Sequence, residues 1–158
     1  MSVRRQRGTT TVEFAIIGVV MLTVLFGVIE VGRAMFVMNA LGESTRRAAR
    51  MAAVCPIGDP AIRNVGLFNP PGDGSGNGII GGLSPSNFAV EYLDENGAVI
   101  ANPATNFAQI EFVRTRIVNF QHQMLVPFAT YIFQTPDFAT TLRRESLGVP
   151  REGVIQPC

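Results

Sequence analysis

The sequence predicts an α+β protein in which a long N-terminal helix, about residues 9–54, packs its outer half on a small antiparallel sheet. Three observations lead to this fold class. Residues 9–29 form an apolar run with a single charge. Apolar residues then continue at helical spacing to about residue 52. Beyond Cys55 the chain changes to short alternating segments and an Asn-Gly pair, which are typical of strands and hairpins.

The composition indicates that part of the chain is not in water. Apolar residues make up 47% of the chain and charged residues 16%, against roughly 25% charged residues in soluble domains. Residues 1–54 carry a net charge of +4 and residues 55–158 a net charge of −3. The larger, acidic part has no basic stripe interleaved with aromatic residues, which argues against nucleic acid as a partner.

A basic leader, residues 1–8, precedes the apolar run and contains Arg4, Arg5 and Arg7 but no acid. Residues 9–30 are predicted to form a transmembrane helix, because the apolar run at 9–29, with its single charge, would rise about 31 Å, close to the thickness of the hydrocarbon core of a bilayer. The arginines should stay in the cytoplasm and direct the C-terminus outward. The expected location is therefore the inner membrane, with a single pass through the lipid bilayer.

A cleavable secretory signal peptide is the alternative interpretation of this end of the chain. Its apolar region would be shorter and would be followed by a cleavage site of small residues. Here Glu30 and Arg33 stand where that cleavage would fall. The sequence therefore favours a retained membrane helix.

Residues 31–54 predict an extracytoplasmic continuation of the same helix, because no proline occurs before Pro56. Small and apolar residues recur on one face at intervals of three or four: Val31, Ala34, Met35, Met38, Leu41, Gly42, Thr45, Ala48, Ala49 and Ala52. The opposite face is polar and comprises Asn39, Glu43, Arg46, Arg47 and Arg50. Glu43 and Arg47 are four residues apart, in the favourable order for an ion pair on a helix.

The two cysteines, Cys55 and Cys158, bracket everything that follows the long helix. In an oxidising compartment a disulfide between them is expected, and in the chain-entropy model it would stabilise the fold by about 4–5 kcal/mol. The alternative is a pair of unpaired buried thiols. A zinc site is not expected, because two cysteines and a distant His122 do not supply its ligands.

Residues 55–158 are predicted to form one small extracytoplasmic α+β domain of about three strands. Prolines and glycines should keep residues 56–82 irregular, with a flexible loop at 72–82. The expected strands are 87–93, 98–101 after an Asn96-Gly97 turn, and 110–120. Residues 124–133 are apolar and aromatic, and three interpretations stay open: a helix, a strand end or a surface patch near the membrane. Residues 139–147 are expected to form a short amphipathic helix.

The chain offers little for catalysis, and we expect neither an enzyme nor a cofactor or metal site. His122 is the single histidine, and neither a Ser-His-Asp order nor a cysteine near a base is present. Glu91 and Glu111 form the one candidate carboxylate pair. Strand-borne acids that face solvent are the commoner interpretation of such a pair.

Glu13 is the most informative single residue, because a carboxylate inside an apolar span is costly and requires a partner. One interpretation is snorkelling at the cytoplasmic edge, which needs no function. The other begins with cleavage after Gly8, which would give Thr9 a new α-amine and make Glu13 the fifth residue of the mature chain. The amine of one subunit would then pair with Glu13 of a neighbour, so that cleavage is coupled to assembly.

The segment from Arg7-Gly8 to Glu13-Phe14, followed by an apolar helix, resembles a class III prepilin signal. More narrowly, Gly-x4-Glu-Phe resembles the processing site of the tight-adherence (Flp, type IVb) pilus system. Gly32-Arg33-Ala34, the segment at 46–50 and, loosely, residues 110–147 resemble TadE-like pseudopilins of that system. The resemblance implies a pilin-like fold, processing between Gly8 and Thr9 by a prepilin peptidase, and assembly through Glu13 and Phe14.

The size of the region at 55–158 distinguishes this chain from the major Flp pilins, which are little more than a helix. The resemblance therefore implies a minor pseudopilin that contributes to a pilus for surface adhesion. Its expected partners are other pilins and pseudopilins, the prepilin peptidase, and the assembly platform in the inner membrane. The alternative function is an uncleaved, single-pass, membrane-anchored binding module in the periplasm, for which Gly8 would be incidental.

Overall fold

The computed structural model describes residues 7–73, 78–126, 129–149 and 157–158. A 48-residue helix is followed by a short helix and five strands. Two single 3-10 turns, Pro85–Asn87 and Phe107–Gln109, lie between them. The helices and strands are α1 (Arg7–Val54), α2 (Ala61–Gly66), β1 (Phe88–Leu93), β2 (Phe112–Ile117), β3 (Gln121–Val126), β4 (Ala129–Gln134) and β5 (Phe138–Arg143). The predicted fold class, a long apolar helix followed by a small antiparallel sheet, is confirmed.

Helix α1 is continuous, with a length of about 72 Å at 1.5 Å per residue. It contains no proline, and it ends where Pro56 follows Cys55, because proline lacks the N–H that the next helical hydrogen bond needs. The predicted bounds of about 9–54 agree with this helix. Residues 1–6 of the predicted leader lie outside the described residues.

The buried face of the outer half of α1 consists of small residues, which let the domain approach the helix backbone closely. Ser44, Thr45, Ala48, Ala49, Ala52 and Ala53 are all buried. The hydroxyl of Ser44 donates to the carbonyl of Gly66 on α2 at 2.6 Å, and that of Thr115 on β2 donates to the carbonyl of Thr45 at 2.8 Å. These bonds satisfy polar groups that would otherwise be costly in the core.

Part of the predicted apolar face of α1 is nevertheless exposed. Val31 and Met35 were expected to be buried, yet they are 54% and 62% exposed. Buried apolar residues on α1 begin at Val37, because the sheet reaches no further toward the N-terminus of the helix. The predicted polar stripe is confirmed, and the Nε of Arg47 lies 3.2 Å from Oε1 of Glu43.

Strands β1, β2 and β5 form an antiparallel sheet in the order β1-β2-β5, which packs on the outer half of α1. Burial alternates along the central strand β2, where Val113, Thr115 and Ile117 face the core. The other face carries Arg114 and Arg116, which both pair with Glu91 on β1. Glu91 is thus an ion-pair partner, and so is Glu111, which pairs with Arg143.

Strands β3 and β4 form a separate two-stranded hairpin. Among the three interpretations of residues 124–133 it excludes the helix, and residues 127–128 lie outside the described residues. Its register pairs Leu125 with Thr130 and Gln123 with Ile132. The sequence of the hairpin contains no Asp, Glu, Lys or Arg.

Two predictions about secondary structure were wrong. The helix expected at 139–147 is instead the edge strand β5, because Phe138, Thr140 and Leu142 alternate with exposed residues and pair with the free edge of β2. The segment expected to be irregular contains α2. Tertiary contact explains this short helix: a Cβ at Gly66 would lie 2.6 Å from the ring of Phe88, so the glycine lets α2 pack closely.

The other predicted strands are shorter than expected. Strand β2 stops at Ile117, since Asn119 adopts a positive φ of 56° and turns the chain. The Asn-Gly turn is present, with Gly97 at a φ of 78° and the Asp94 carboxylate accepting hydrogen bonds from the N–H groups of Asn96 and Ala98. The return strand at 98–101 is reduced to a single bridge between Leu93 and Val99.

Candidate functional site

The N-terminal half of α1 has almost no intramolecular contacts. Its most apolar 18-residue window has a mean hydropathy of 2.6 and is 0% buried within the protein. Large apolar side chains from Val12 to Ile29 are 47–66% exposed apart from Phe14, which is 78% exposed. Exposed apolar surface on this scale is covered by lipid or by other proteins. The helix is therefore long and apolar enough to span a membrane once, as predicted.

The predicted processing site, Gly8 and Thr9, lies in the first turn of α1, which begins at Arg7. A Cβ added at Gly8 would meet no atom within 4 Å, and its φ is not in the positive region. Neither packing nor backbone conformation within the described protein explains a glycine here. The structure does not test cleavage, and the processing site stays a prediction.

The predicted assembly residues, Glu13 and Phe14, both point away from the rest of the protein. Within the described part of the chain, Glu13 makes no hydrogen bond or ion pair. It stands about 7.5 Å along the axis from Gly8. Both interpretations of Glu13, snorkelling at the cytoplasmic edge and pairing with a neighbouring subunit, are compatible with this exposed position. Its role in assembly also stays a prediction.

A polar cluster on α1 follows the last residue of the apolar run. Glu30 is 5% exposed, and its Oε2 accepts a hydrogen bond from Nε of Arg33 at 3.0 Å. Its Oε1 accepts from Nη2 of Arg33 and from the N–H of Leu125 on β3, the latter at 3.0 Å. Arg33 Nη2 also donates to the carbonyl of Gln123. The carboxylate is therefore buried with a paired charge and a backbone donor, which offsets its desolvation.

This cluster does for β3 what a neighbouring strand would do. The N–H of Leu125 and the carbonyl of Gln123 lie on the edge of β3 that faces away from β4, where backbone groups lack a strand partner. Glu30 and Arg33 supply an acceptor and a donor to these two groups. The hairpin is thus attached to α1 through its backbone edge. We call the four residues Glu30, Arg33, Gln123 and Leu125 the edge clasp.

His122 lies beside the edge clasp and is 4% exposed. Its ring packs edge-on against Phe133, with the ring centroids 5.4 Å apart. Burial lowers the pKa of His122, Arg33 lowers it further, and Glu30 opposes them. Among the described residues Nε2 of His122 has no hydrogen-bond partner, and no group of three or more His, Cys, Asp or Glu residues could hold a metal ion.

The predicted disulfide is confirmed. Cys55 and Cys158 are bonded with their Cα atoms 5.7 Å apart, across a sequence separation of 103. The N–H of Cys158 donates to Oδ2 of Asp59 at 3.1 Å. The C-terminal residue is thereby fixed at the outer end of α1, far along the helix from the edge clasp.

The geometry defines a class of protein: one helix able to span a membrane, continued into a small disulfide-bonded α+β domain. Within that class, residues 8–50 match the family model described as TadE-like protein. The match covers 43 of the 158 residues and is a similarity of the α1 region to TadE-like proteins. It covers the apolar run, the edge-clasp residues of α1 and most of the buried outer half. No curated protein and no solved structure matches the chain.

Sequence reasoning found Gly8, Thr9, Glu13, Phe14 and the two cysteines, but it missed the edge clasp. Glu30 was used only to argue against a signal peptide, and Arg33 for that argument and for the resemblance at Gly32-Arg33-Ala34. Their spacing of three residues, directly after an uncharged apolar run, was a usable signal, because such a pair meets on one helix face. Their strand partners could not be found without the hairpin, which lies about 90 residues away.

Proposed function

We propose that the protein is a minor pseudopilin of a tight-adherence pilus, cleaved after Gly8 by a prepilin peptidase and then assembled with other pilins. Helix α1 crosses the inner membrane with its N-terminus in the cytoplasm and the disulfide-bonded domain outside. The role is that of a structural subunit and peptidase substrate, not of an enzyme. The match of residues 8–50 to TadE-like proteins supports the pilus system as the setting.

One observation carries the proposal: an exposed carboxylate, Glu13, five residues after a glycine that the described protein itself does not require. Cleavage after Gly8 creates a positive α-amine on Thr9, and this charge is the partner that Glu13 of a neighbouring subunit lacks. In lipid, where water screens little, such a pairing is strongly favoured over two separate charges. The exposed apolar side chains around Glu13 then pack between helices of adjacent subunits.

The first test is the N-terminal residue of the protein extracted from its native membrane, read by intact mass and N-terminal sequencing. A chain that starts at Thr9 supports processing. A chain that starts at Met1 or Ser2, in cells with an active prepilin peptidase, contradicts it and favours the uncleaved membrane-anchored module.

A pair of variants links this result to Gly8. Gly8→Leu should abolish cleavage without disturbing the fold, because no atom within 4 Å opposes a side chain there. Gly27→Leu is the matched control, since this glycine of the same helix also has open space around it. Equal cleavage of both variants would contradict recognition at Gly8.

Assembly is tested at Glu13. Glu13→Gln should leave membrane insertion and the disulfide intact but reduce co-purification with the pilins of the system. Glu43→Gln removes a carboxylate from an exposed position of the same helix outside the apolar run, and it should co-purify normally. Equal co-purification of the two variants would show that Glu13 has no role in packing.

A further inference from the structure

We infer that the β3–β4 hairpin is a second membrane contact, which rests on the lipid headgroups of the leaflet at the C-terminal end of the apolar run. This inference depends on α1 spanning the bilayer, as proposed, but not on cleavage or on a pilus. The occupant of the exposed hairpin surface is thus the bilayer itself, not another protein.

The edge clasp fixes the height of the hairpin relative to the membrane. The N–H of Leu125 donates to Glu30, which directly follows Ile29, the last residue of the apolar run. Leu125 is therefore at the level where α1 leaves the hydrocarbon core. This position follows from the 3.0 Å hydrogen bond between the backbone N–H of Leu125 and the Glu30 carboxylate, and it does not depend on side-chain conformations of the hairpin.

The direction of β3 carries the hairpin toward the membrane. Gln123 contacts Arg33 and Leu125 contacts Glu30, so residue numbers rise along β3 as they fall along α1. Two strand residues advance about 6.8 Å and three helical residues about 4.5 Å, which are similar steps along one axis. Strand β3 thus runs toward the bilayer from Gln123 to Leu125.

The chemistry of the exposed residues fits a lipid interface. Leu125, Tyr131 and Ile132 are 66%, 60% and 62% exposed. Between Arg116 and Asp137 the sequence has no Asp, Glu, Lys or Arg. Tyrosine is enriched at the level of lipid headgroups, where its ring is partly in hydrocarbon and its hydroxyl is in water. Leu125 and Ile132 lie on one face of the hairpin and Tyr131 on the opposite face, so a hairpin that meets the bilayer end-on brings both faces to the interface.

The three-stranded sheet provides the contrast. Its exposed face carries the ion pairs of Glu91 with Arg114 and Arg116. The far end of this sheet lies near Ala53. The backbone N–H of Glu145 donates to the carbonyl of Ala53, and the backbone N–H of Arg144 donates to the carbonyl of Glu111. This end is about 35 Å from Glu30 along α1. Charged residues thus cover the sheet that is remote from the membrane, and uncharged residues cover the hairpin beside it.

The test uses the full chain in phosphatidylcholine–phosphatidylglycerol vesicles at a high lipid-to-protein ratio, with lipids brominated on their acyl chains near the headgroup as quenchers. The protein contains no tryptophan, so single tryptophans report on one site each. Leu125→Trp is the reporter on the hairpin. Val99→Trp is the control, since Val99 is 55% exposed at the remote end of the sheet. Phe26→Trp reports on the span itself.

We expect Leu125→Trp and Phe26→Trp to lose fluorescence intensity with brominated lipids and to emit at shorter wavelength, while Val99→Trp is unchanged. Quenching of Phe26→Trp without quenching of Leu125→Trp overturns the hairpin contact but leaves the span intact. If Phe26→Trp is also not quenched, both the span and the hairpin contact are wrong. Ile132→Trp repeats the measurement on the partner strand, so that a local disturbance at Leu125 does not decide the result.

Discussion

The two halves of α1 differ in side-chain size and in what covers them. From Val12 to Ile29 the helix shows large apolar side chains to its surroundings, whereas from Val37 to Ala53 it is buried under its own domain. The buried half uses alanine, serine and threonine, and the exposed half uses valine, leucine, isoleucine and phenylalanine. Small residues allow a sheet to approach closely, and large ones suit lipid and neighbouring helices. Whether the domain covers a part of α1 therefore depends on the size of its side chains as well as on their polarity.

The largest expected effect on stability comes from removing the disulfide at the outer end of α1. Cys158→Ser removes the disulfide that closes the chain over 103 residues, and it should lower the free energy of unfolding by about 4–5 kcal/mol in the chain-entropy model. Denaturant unfolding of the full chain in detergent, followed by near-ultraviolet circular dichroism, measures this change.

Reduction of the unmodified protein is the control for that variant and should reproduce its loss of stability. If neither treatment changes the unfolding midpoint, the packing on α1 is sufficient without the covalent link. The helix content contributed by residues 8–29 should be unaffected in either case, because the domain does not bury the apolar part of this segment.

A second prediction compares one leucine from each half of α1. Leu41 is 0% exposed in the core, so Leu41→Ala should cost about 2–5 kcal/mol through lost burial and a cavity. Leu22 is 55% exposed, and Leu22→Ala should leave domain unfolding unchanged. The same denaturant measurement applies to both variants. Equal effects would show that the span and the domain unfold as one unit.

A third prediction concerns the junction of the two halves, where the edge clasp lies. Glu30→Leu removes the acceptor of the Leu125 N–H and should cost about 1–3 kcal/mol locally, since it leaves a donor unpaired. Amide hydrogen exchange at Leu125 should become about 10- to 100-fold faster. Protection on β2 should not change.

Glu43→Leu is the matched control, because it breaks an exposed pair with Arg47 on the same helix. Such surface pairs contribute at most about 0.5 kcal/mol, so Leu125 exchange should stay as it is in the unmodified protein. Unchanged Leu125 exchange in Glu30→Leu would mean that the hairpin is held by its apolar contacts and not by the clasp.

How much of this arrangement the sequence could predict depends on the range of the contacts involved. Helix α1, the strand β1 and the Glu43–Arg47 pair follow from local periodicity and spacing. The disulfide followed from composition, since only two cysteines were present to pair. Local pattern failed for β5, whose strand character comes from pairing with β2 across the sheet.

Candidate-site residues divide in the same way. Gly8 and Glu13 were found because their proposed roles depend on sequence spacing and on the apolar run around them. The edge clasp was missed because Glu30 and Arg33 bind backbone groups on an edge of β3 that exists only after the strand has formed. Val31 and Met35 were assigned to the apolar face of the outer half by helical periodicity, which does not show where along a helix a domain begins to cover it.

The smallest expected effect is a pH dependence at the same junction. Burial and Arg33 lower the pKa of His122 in the folded protein, so the unfolded protein binds the proton more readily. The stability contributed by neutral His122 is fully present above the unfolded-state pKa of about 6.5, and it is lost as the pH falls toward the lower folded-state value. Protonation would place a charge beside Arg33 and the ring of Phe133, and Glu30 would oppose this charge.

Hydrogen exchange on β3 and β4, corrected for its intrinsic pH dependence, should therefore show less protection at about pH 5.5 than at about pH 7.5. His122→Phe keeps a buried ring against Phe133 but cannot titrate, so its protection should be the same at both values. A variant that still loses protection would show that His122 is not the source of the pH dependence.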